Sequence, residues 1–113
     1  MTSLYYNPAC SKCRTADALL KENGVQADVI RYLDSPPTVD QLRELMELLG
    51  IEDPREMMRT GEPAYAELGL ADASDERLLE AITEKPILLE RPIFVRGERA
   101  VIARPAERVL ELL

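Results

Sequence analysis

An α/β fold, in which two halves of one mixed β-sheet are separated by helices, follows from three observations on the sequence. A strand-like run, Ser3-Leu4-Tyr5-Tyr6, gives way after Asn7-Pro8 to helical spacing and then to a second β-branched run, which makes a βαβ unit. Residues 34–90 carry one helix-start signal after another. Two further β-branched runs flank Arg96-Gly97-Glu98 and read as a hairpin.

Taken in order, the first strand ends at Asn7-Pro8, a turn pair. From Ser11, Ala16, Leu19 and Leu20 fall on one helical face, and Asn23-Gly24 supplies the residue pair that ends a helix. Ala27 to Leu33 is the second strand, expected to lie parallel to the first with a right-handed crossover. Asp34-Ser35-Pro36-Pro37 breaks the chain before Thr38, which with Gln41 predicts a capping box. Leu42, Leu45, Met46 and Leu49 then form one face, ended by Gly50. Asp53-Pro54 predicts a short helix running through Met57 and Met58 to Arg59 and stopping near Gly61. Further helices are expected at Ala64–Leu68 and, capped by Ser74, at Asp75–Thr83. Arg91-Pro92-Ile93-Phe94-Val95 and Arg99-Ala100-Val101-Ile102 are the hairpin strands, and Pro105 opens a closing helix carrying Val109, Leu110 and Leu113. The order β-α-β, helices, β-β, α is the connectivity of a thioredoxin-like mixed β-sheet with flanking helices and an inserted helical subdomain. Residues 1–113 are expected to form a single such domain, with the insertion at about 34–90.

Composition narrows the function. A net charge of −7 argues against nucleic acid and acidic membrane as partners, since both select basic surfaces. The charge is uneven: residues 40–90 hold fourteen acids and five bases, whereas residues 91–108 hold five arginines and two glutamates, so an anion site would draw on the latter segment. The opening residues show no signal-peptide pattern, and no stretch approaches the roughly 20 apolar residues of a membrane span. A soluble protein of the cytoplasm is expected.

Cys10-Ser11-Lys12-Cys13 carries the chemistry. A Cys-x-x-Cys between a strand and a helix is the placement of a redox thiol, because the free N–H groups and positive dipole end of a helix start stabilise a thiolate. Lys12 and Arg14 add positive charge nearby. The plain alternative is two small buried core residues. A metal site is not expected, since structural zinc takes four ligands and the chain offers two cysteines and no histidine. Asn7-Pro8-Ala9 is expected to aim backbone N–H groups at whatever approaches the sulfur. Taken singly, Arg59, Arg91 and Arg104 read as solvated surface charges. Arg91-Pro92 stands apart, because in a thioredoxin-like sheet an X-Pro pair with a cis bond faces the cysteine of the first helix.

With these residues in place the chain resembles the glutaredoxin-coupled arsenate reductase, or ArsC, family. The likeness runs nearly end to end: Asn7-Pro8-Ala9-Cys10 with Arg14, Tyr32-Leu33 before Pro36-Pro37-Thr38, Glu62-Pro63 with Glu67-Leu68-Gly69-Leu70, Arg91-Pro92-Ile93 and Arg104-Pro105. The resemblance implies that Cys10 attacks arsenate and that Arg59, Arg91 and Arg104 hold the oxyanion, with Asn7, Ser11, Lys12, Arg14 and Pro92 in support. It implies glutathione as co-substrate, glutaredoxin as the partner that releases arsenite, no bound cofactor, and a monomer. Cys13 is a resolving thiol or a bystander. The family's histidine before Asn-Pro is here Tyr6, so activation must come from the helix and nearby cations.

Cys-x-x-Cys at this place also typifies the related Spx-type transcription regulators, which switch by a disulfide, here Cys10–Cys13, and bind RNA polymerase. A general thiol-disulfide exchanger using the same pair is a further alternative. The Asn-Pro entry and the Arg104-Pro105 ending favour the reductase side. A phosphatase-like reductase has an arginine six residues after its nucleophile, and position 16 here is alanine.

Overall fold

The computed structural model describes residues 2–113 of the chain. Two compact units result: the chain up to Ser35 together with Arg91–Leu113, and Pro36–Glu90.

The first unit holds the sheet. Strand β1 (Thr2–Tyr5) leads to helix α1 (Ser11–Glu22) and strand β2 (Asp28–Ile30), and the hairpin β3 (Ile93–Arg96) and β4 (Arg99–Ile102) completes the order β2-β1-β3-β4. β1 pairs parallel with β2, and antiparallel with β3. This is the thioredoxin-like mixed sheet expected from the element order. Gly97, at φ 63°, takes the left-handed position of the β3–β4 turn, where a side chain is disfavoured.

The core of this unit follows from strand alternation meeting helical spacing: Leu4, Phe94 and Val101 lie across the central strands, with Ala16 and Leu20 of α1 and Ala106 and Val109 of the closing segment packed on them. β2 is shorter than the expected Ala27–Leu33 because the chain turns at Arg31, with Tyr32 N–H donating to Ile30 O and Asp34 N–H to Arg31 O. The turn buries Tyr32 and leaves Leu33 on the surface. The closing helix is also corrected. It is a 3₁₀ helix, Ala106–Leu112, whose three-residue period puts Ala106, Val109 and Leu112 on one face, so Leu110 and Leu113 are exposed.

The second unit is helical. α2 (Val39–Leu49) starts on the expected capping box, Gln41 N–H donating to Thr38 Oγ1 and Thr38 N–H to Gln41 Oε1, and ends on Gly50 at φ 72°. α3 (Pro63–Glu67) and α4 (Asp75–Glu84, capped by Ser74) follow, with 3₁₀ turns at Pro54–Met57, Leu70–Asp72 and Pro86–Leu88. Thr83 Oγ1 donates to Pro37 O at 2.8 Å and ties the end of α4 to the start of α2. The helix expected to run from Pro54 to Arg59 stops at Met57. Beyond it Met58 bridges Leu89, Arg59 N–H donates to Leu88 O, and Glu90 N–H donates to Met57 O, so long-range pairing claims the backbone groups a longer helix needs.

Arg55 braces this unit. Its guanidinium donates to Tyr65 Oη at 2.9 Å and to the carbonyls of Leu70, Ala71 and Ala73. Arg55→Ala is expected to lower the urea midpoint, because it orphans three carbonyls and a phenol at once. Arg77→Ala, which loses only ion pairs to Glu80 and Glu84 on a helix surface, should barely move it. Equal midpoints for the two variants would contradict the bracing role.

No helix among the described residues is long and apolar enough to cross a membrane.

Candidate active site

Sheet register brings three of the expected residues to one end of the first unit. Tyr5, the last residue of β1, is opposite Ile93, and Ile93 is opposite Ile102. The loop leaving β1, the chain entering β3 and the chain leaving β4 therefore meet. Cys10 lies on the first of these, Arg91 on the second and Arg104 on the third. Arg104 Nη1 donates to Arg91 O at 3.0 Å, and Ala103 N–H donates to Pro92 O at 2.9 Å. The Arg91–Pro92 bond is cis, as expected, and so is Arg104–Pro105, which the sequence did not single out.

The loop before α1 is pinned by its own residues. Asn7 Oδ1 accepts from Ala9 N–H at 3.0 Å, Asn7 O accepts from Cys10 N–H at 2.9 Å, and Pro8 O accepts from Arg14 Nη1 at 2.8 Å. One expectation is corrected here. The Ala9 and Cys10 N–H groups are spent on Asn7, so they are not free for whatever approaches the sulfur. Arg14 has a second role besides its charge, since its bond to the loop carbonyl braces the turn.

Cys10 is the N-cap of α1, and its thiol closes no cap hydrogen bond of full geometry. Burial opposes ionisation, but the backbone N–H and the thiol of Cys13, the backbone N–H of Lys12 and the charge of Arg91 outweigh it, so the pKa of Cys10 is lowered. Lys12 thus contributes through its backbone. Cys13, the third residue of the helix, is fully buried. Burial and the adjacent Cys10 push its pKa up to about 11, against the pull of the Asn7 N–H and Arg91. Both cysteines are free.

Arg91 keeps two donors in reserve. Its Nε and Nη1 are buried and have no hydrogen-bond partner among the described residues, a costly state for a charged group. Ser11 and Lys12 are exposed at the helix start. Arg59 belongs to the second unit, where its guanidinium is ion-paired to Glu62 and lies 3.9 Å from Glu90 Oε1. A cleft of about 480 Å³ opens beside it, lined by Met58, Arg59, Thr60, Gly61, Glu62 and Glu90 among others. The two glutamates were missed from sequence. Glu62 had a signal, its i+3 spacing from Arg59, whereas Glu90 comes near only through the Met58–Leu89 bridge.

These positions predict selective alkylation. At neutral pH iodoacetamide is expected to modify Cys10 and spare Cys13 in the folded protein. Arg91→Ala should move the midpoint of the Cys10 rate-against-pH curve upward, since the lost cation favoured the thiolate. An unchanged midpoint would remove Arg91 from the activation of the thiol.

Residues 5–112 match the model of the ArsC family. The uncharacterized protein YfgD of Escherichia coli K12 is 47% identical over 112 residues, spanning 97% of this chain and 94% of that one. An arsenate reductase of Haemophilus influenzae is 44% identical over 112 residues, 97% of each chain. Among solved structures, an arsenate reductase from Vibrio cholerae superposes with a TM-score of 0.95 at 44% identity, covering 99% of this chain and 97% of that one.

Proposed function

Since the chain belongs to the ArsC family, we propose that it reduces arsenate to arsenite through a covalent intermediate on Cys10, with glutathione and glutaredoxin supplying the electrons. The reading rests above all on one juxtaposition: a cysteine whose thiolate is favoured, acted on by an arginine whose buried donors lack partners among the described residues. A thiolate is a strong nucleophile, and an oxyanion brought to Arg91 neutralises that guanidinium while it is held for attack.

Cys10 thiolate attacks the arsenic, a sulfur–arsenic bond forms, and one arsenate oxygen leaves as water. Charge on the remaining oxygens is stabilised by preorganised donors, which cost no rearrangement as the bond forms. Arg91 supplies them, and Arg104 holds the carbonyl of Arg91 and so fixes its backbone. By the family resemblance Arg59 is also an oxyanion-holding residue, and its pairing with Glu62 then competes with the substrate for the same guanidinium. Glutathione in a reducing compartment returns the protein to its dithiol form, which makes the cytoplasm its proposed location.

The test is arsenite formed from arsenate with glutathione and glutaredoxin. Arg91→Ala is expected to lower kcat/KM for arsenate about tenfold to a hundredfold, the range for losing a hydrogen-bonded charge. A wild-type protein that makes no arsenite under these conditions would refute the function.

A further inference from the structure

We propose that Cys13 is the thiol that resolves the Cys10–arsenic intermediate, so that arsenite leaves as an internal Cys10–Cys13 disulfide forms and external thiols act only afterwards. This rests on the reduction of arsenate at Cys10 and specifies its second step.

Placement leaves Cys13 one available reaction partner. Cys10, at the N-cap, is partly exposed, whereas Cys13, the third residue of the same helix and so one turn along the same face, is fully buried. No third cysteine exists in the chain. A buried thiol is closed to glutathione and to glutaredoxin, yet the N-cap and third-residue side chains of one helix are neighbours, which puts this thiol beside the sulfur on which arsenic is to be carried. Glutathione must enter from solvent and reach the same sulfur past the arsenic group. An intramolecular thiol on the same helix turn has the advantage of effective concentration.

The electron count closes without an outside reductant for one turnover. In the first step Cys10 thiolate, dihydrogen arsenate and one proton give the Cys10–S–As(V) adduct and water. Next the Cys13 sulfur attacks the Cys10 sulfur, the S–S bond forms, and the S–As bond breaks with its electron pair staying on arsenic. Arsenic falls from the pentavalent to the trivalent state as two thiols become one disulfide, and the Cys13 proton goes to the departing arsenite. Glutathione or the glutaredoxin dithiol then reduces the disulfide by thiol exchange.

Timing is built into the pair. While Cys10 is a thiolate, its charge and its hydrogen bond both hold the Cys13 proton in place. Arsenylation consumes that thiolate and removes both restraints, so that burial alone opposes ionisation of Cys13 while the Asn7 N–H and Arg91 favour it. The resolving thiol is therefore easier to ionise after the first step than before it.

The experiment is a single turnover without added thiol. Reduced wild-type protein, freed of reductant and given arsenate, should release about one arsenite per chain and lose the mass of two hydrogens, whereas Cys13→Ser and Cys13→Ala should release none and retain an arsenic adduct on Cys10. With glutathione and glutaredoxin present, the Cys13 variants should turn over at least about tenfold more slowly than wild type. The proposal fails if wild-type protein makes arsenite with glutathione and glutaredoxin but none alone, an outcome that leaves the reductase reading standing. No arsenite under either condition overturns both. The wild-type arm decides the matter even if the buried substitutions impair folding.

Discussion

Cys10→Ser is expected to abolish arsenite formation, with a loss of more than about 10³-fold, the scale on which removing a nucleophile acts. The reason lies in the acidity of the group at this position. The helix start and Arg91 bring a thiol below its ordinary pKa, but they act against burial and cannot bring a serine hydroxyl, many units less acidic, into range. No neighbour compensates, because the chain has no histidine to act as a base. Serine is small enough for the site and its oxygen is an accepted N-cap, so the fold should persist or gain slightly. Circular dichroism and urea unfolding provide that control. An active, folded Cys10→Ser protein would overturn covalent catalysis at this residue.

Phe94→Ala is expected to cost about 3–5 kcal/mol of stability, the cost of emptying a large buried aromatic site. Phe94 is fully buried on a central strand, opposite Leu4 on one side and Val101 on the other, with α1 packed against the same cluster. Both flanking strands are held in backbone register, so the gap cannot collapse easily. Such a loss is a large share of the 5–15 kcal/mol that holds an ordinary domain together, and the variant should lie near its unfolding transition at 37 °C. Urea titration reads it as a lower midpoint at unchanged slope. A loss under about 1 kcal/mol would mean that this cluster is not the core of the first unit.

Much of the architecture was legible because its signals are local. Thr38 with Gln41, Ser74, Asp53-Pro54, Asn23-Gly24 and Gly50 each begin or end an element through bonds that span a few residues. The hairpin around Gly97 and the parallel pairing of the first two strands are of the same kind, set by turn chemistry and by strand handedness. The lowered pKa of Cys10 also follows from a local fact, its place at a helix start, although part of the cause is Arg91, some eighty residues away in the chain.

Where sequence reading fell short, distant groups decided. Arg14 read only as a second cation near the thiol, and its bond to the Pro8 carbonyl, which braces the loop, has no signature in the sequence. Met58 and Arg59 had helical neighbours, yet Leu88 and Leu89 take their backbone groups. The closing segment has apolar residues that suit a 3.6-residue period, and packing against α1 selected the tighter 3₁₀ turn and with it Leu112 instead of Leu110 and Leu113.

By itself, then, the sequence determined the element order, the caps, the family and which thiol stands at the helix start, because periodicity, capping and motif spacing act within a few residues of the chain. Only the tertiary structure decided that Arg91 has donors without partners among the described residues, that Arg59 is held by Glu62 and Glu90, and that Cys13 is fully buried while Cys10 stays partly exposed. Those states depend on which donors and acceptors remain unmatched after the strands have paired and the helices have packed, and no local pattern records that remainder.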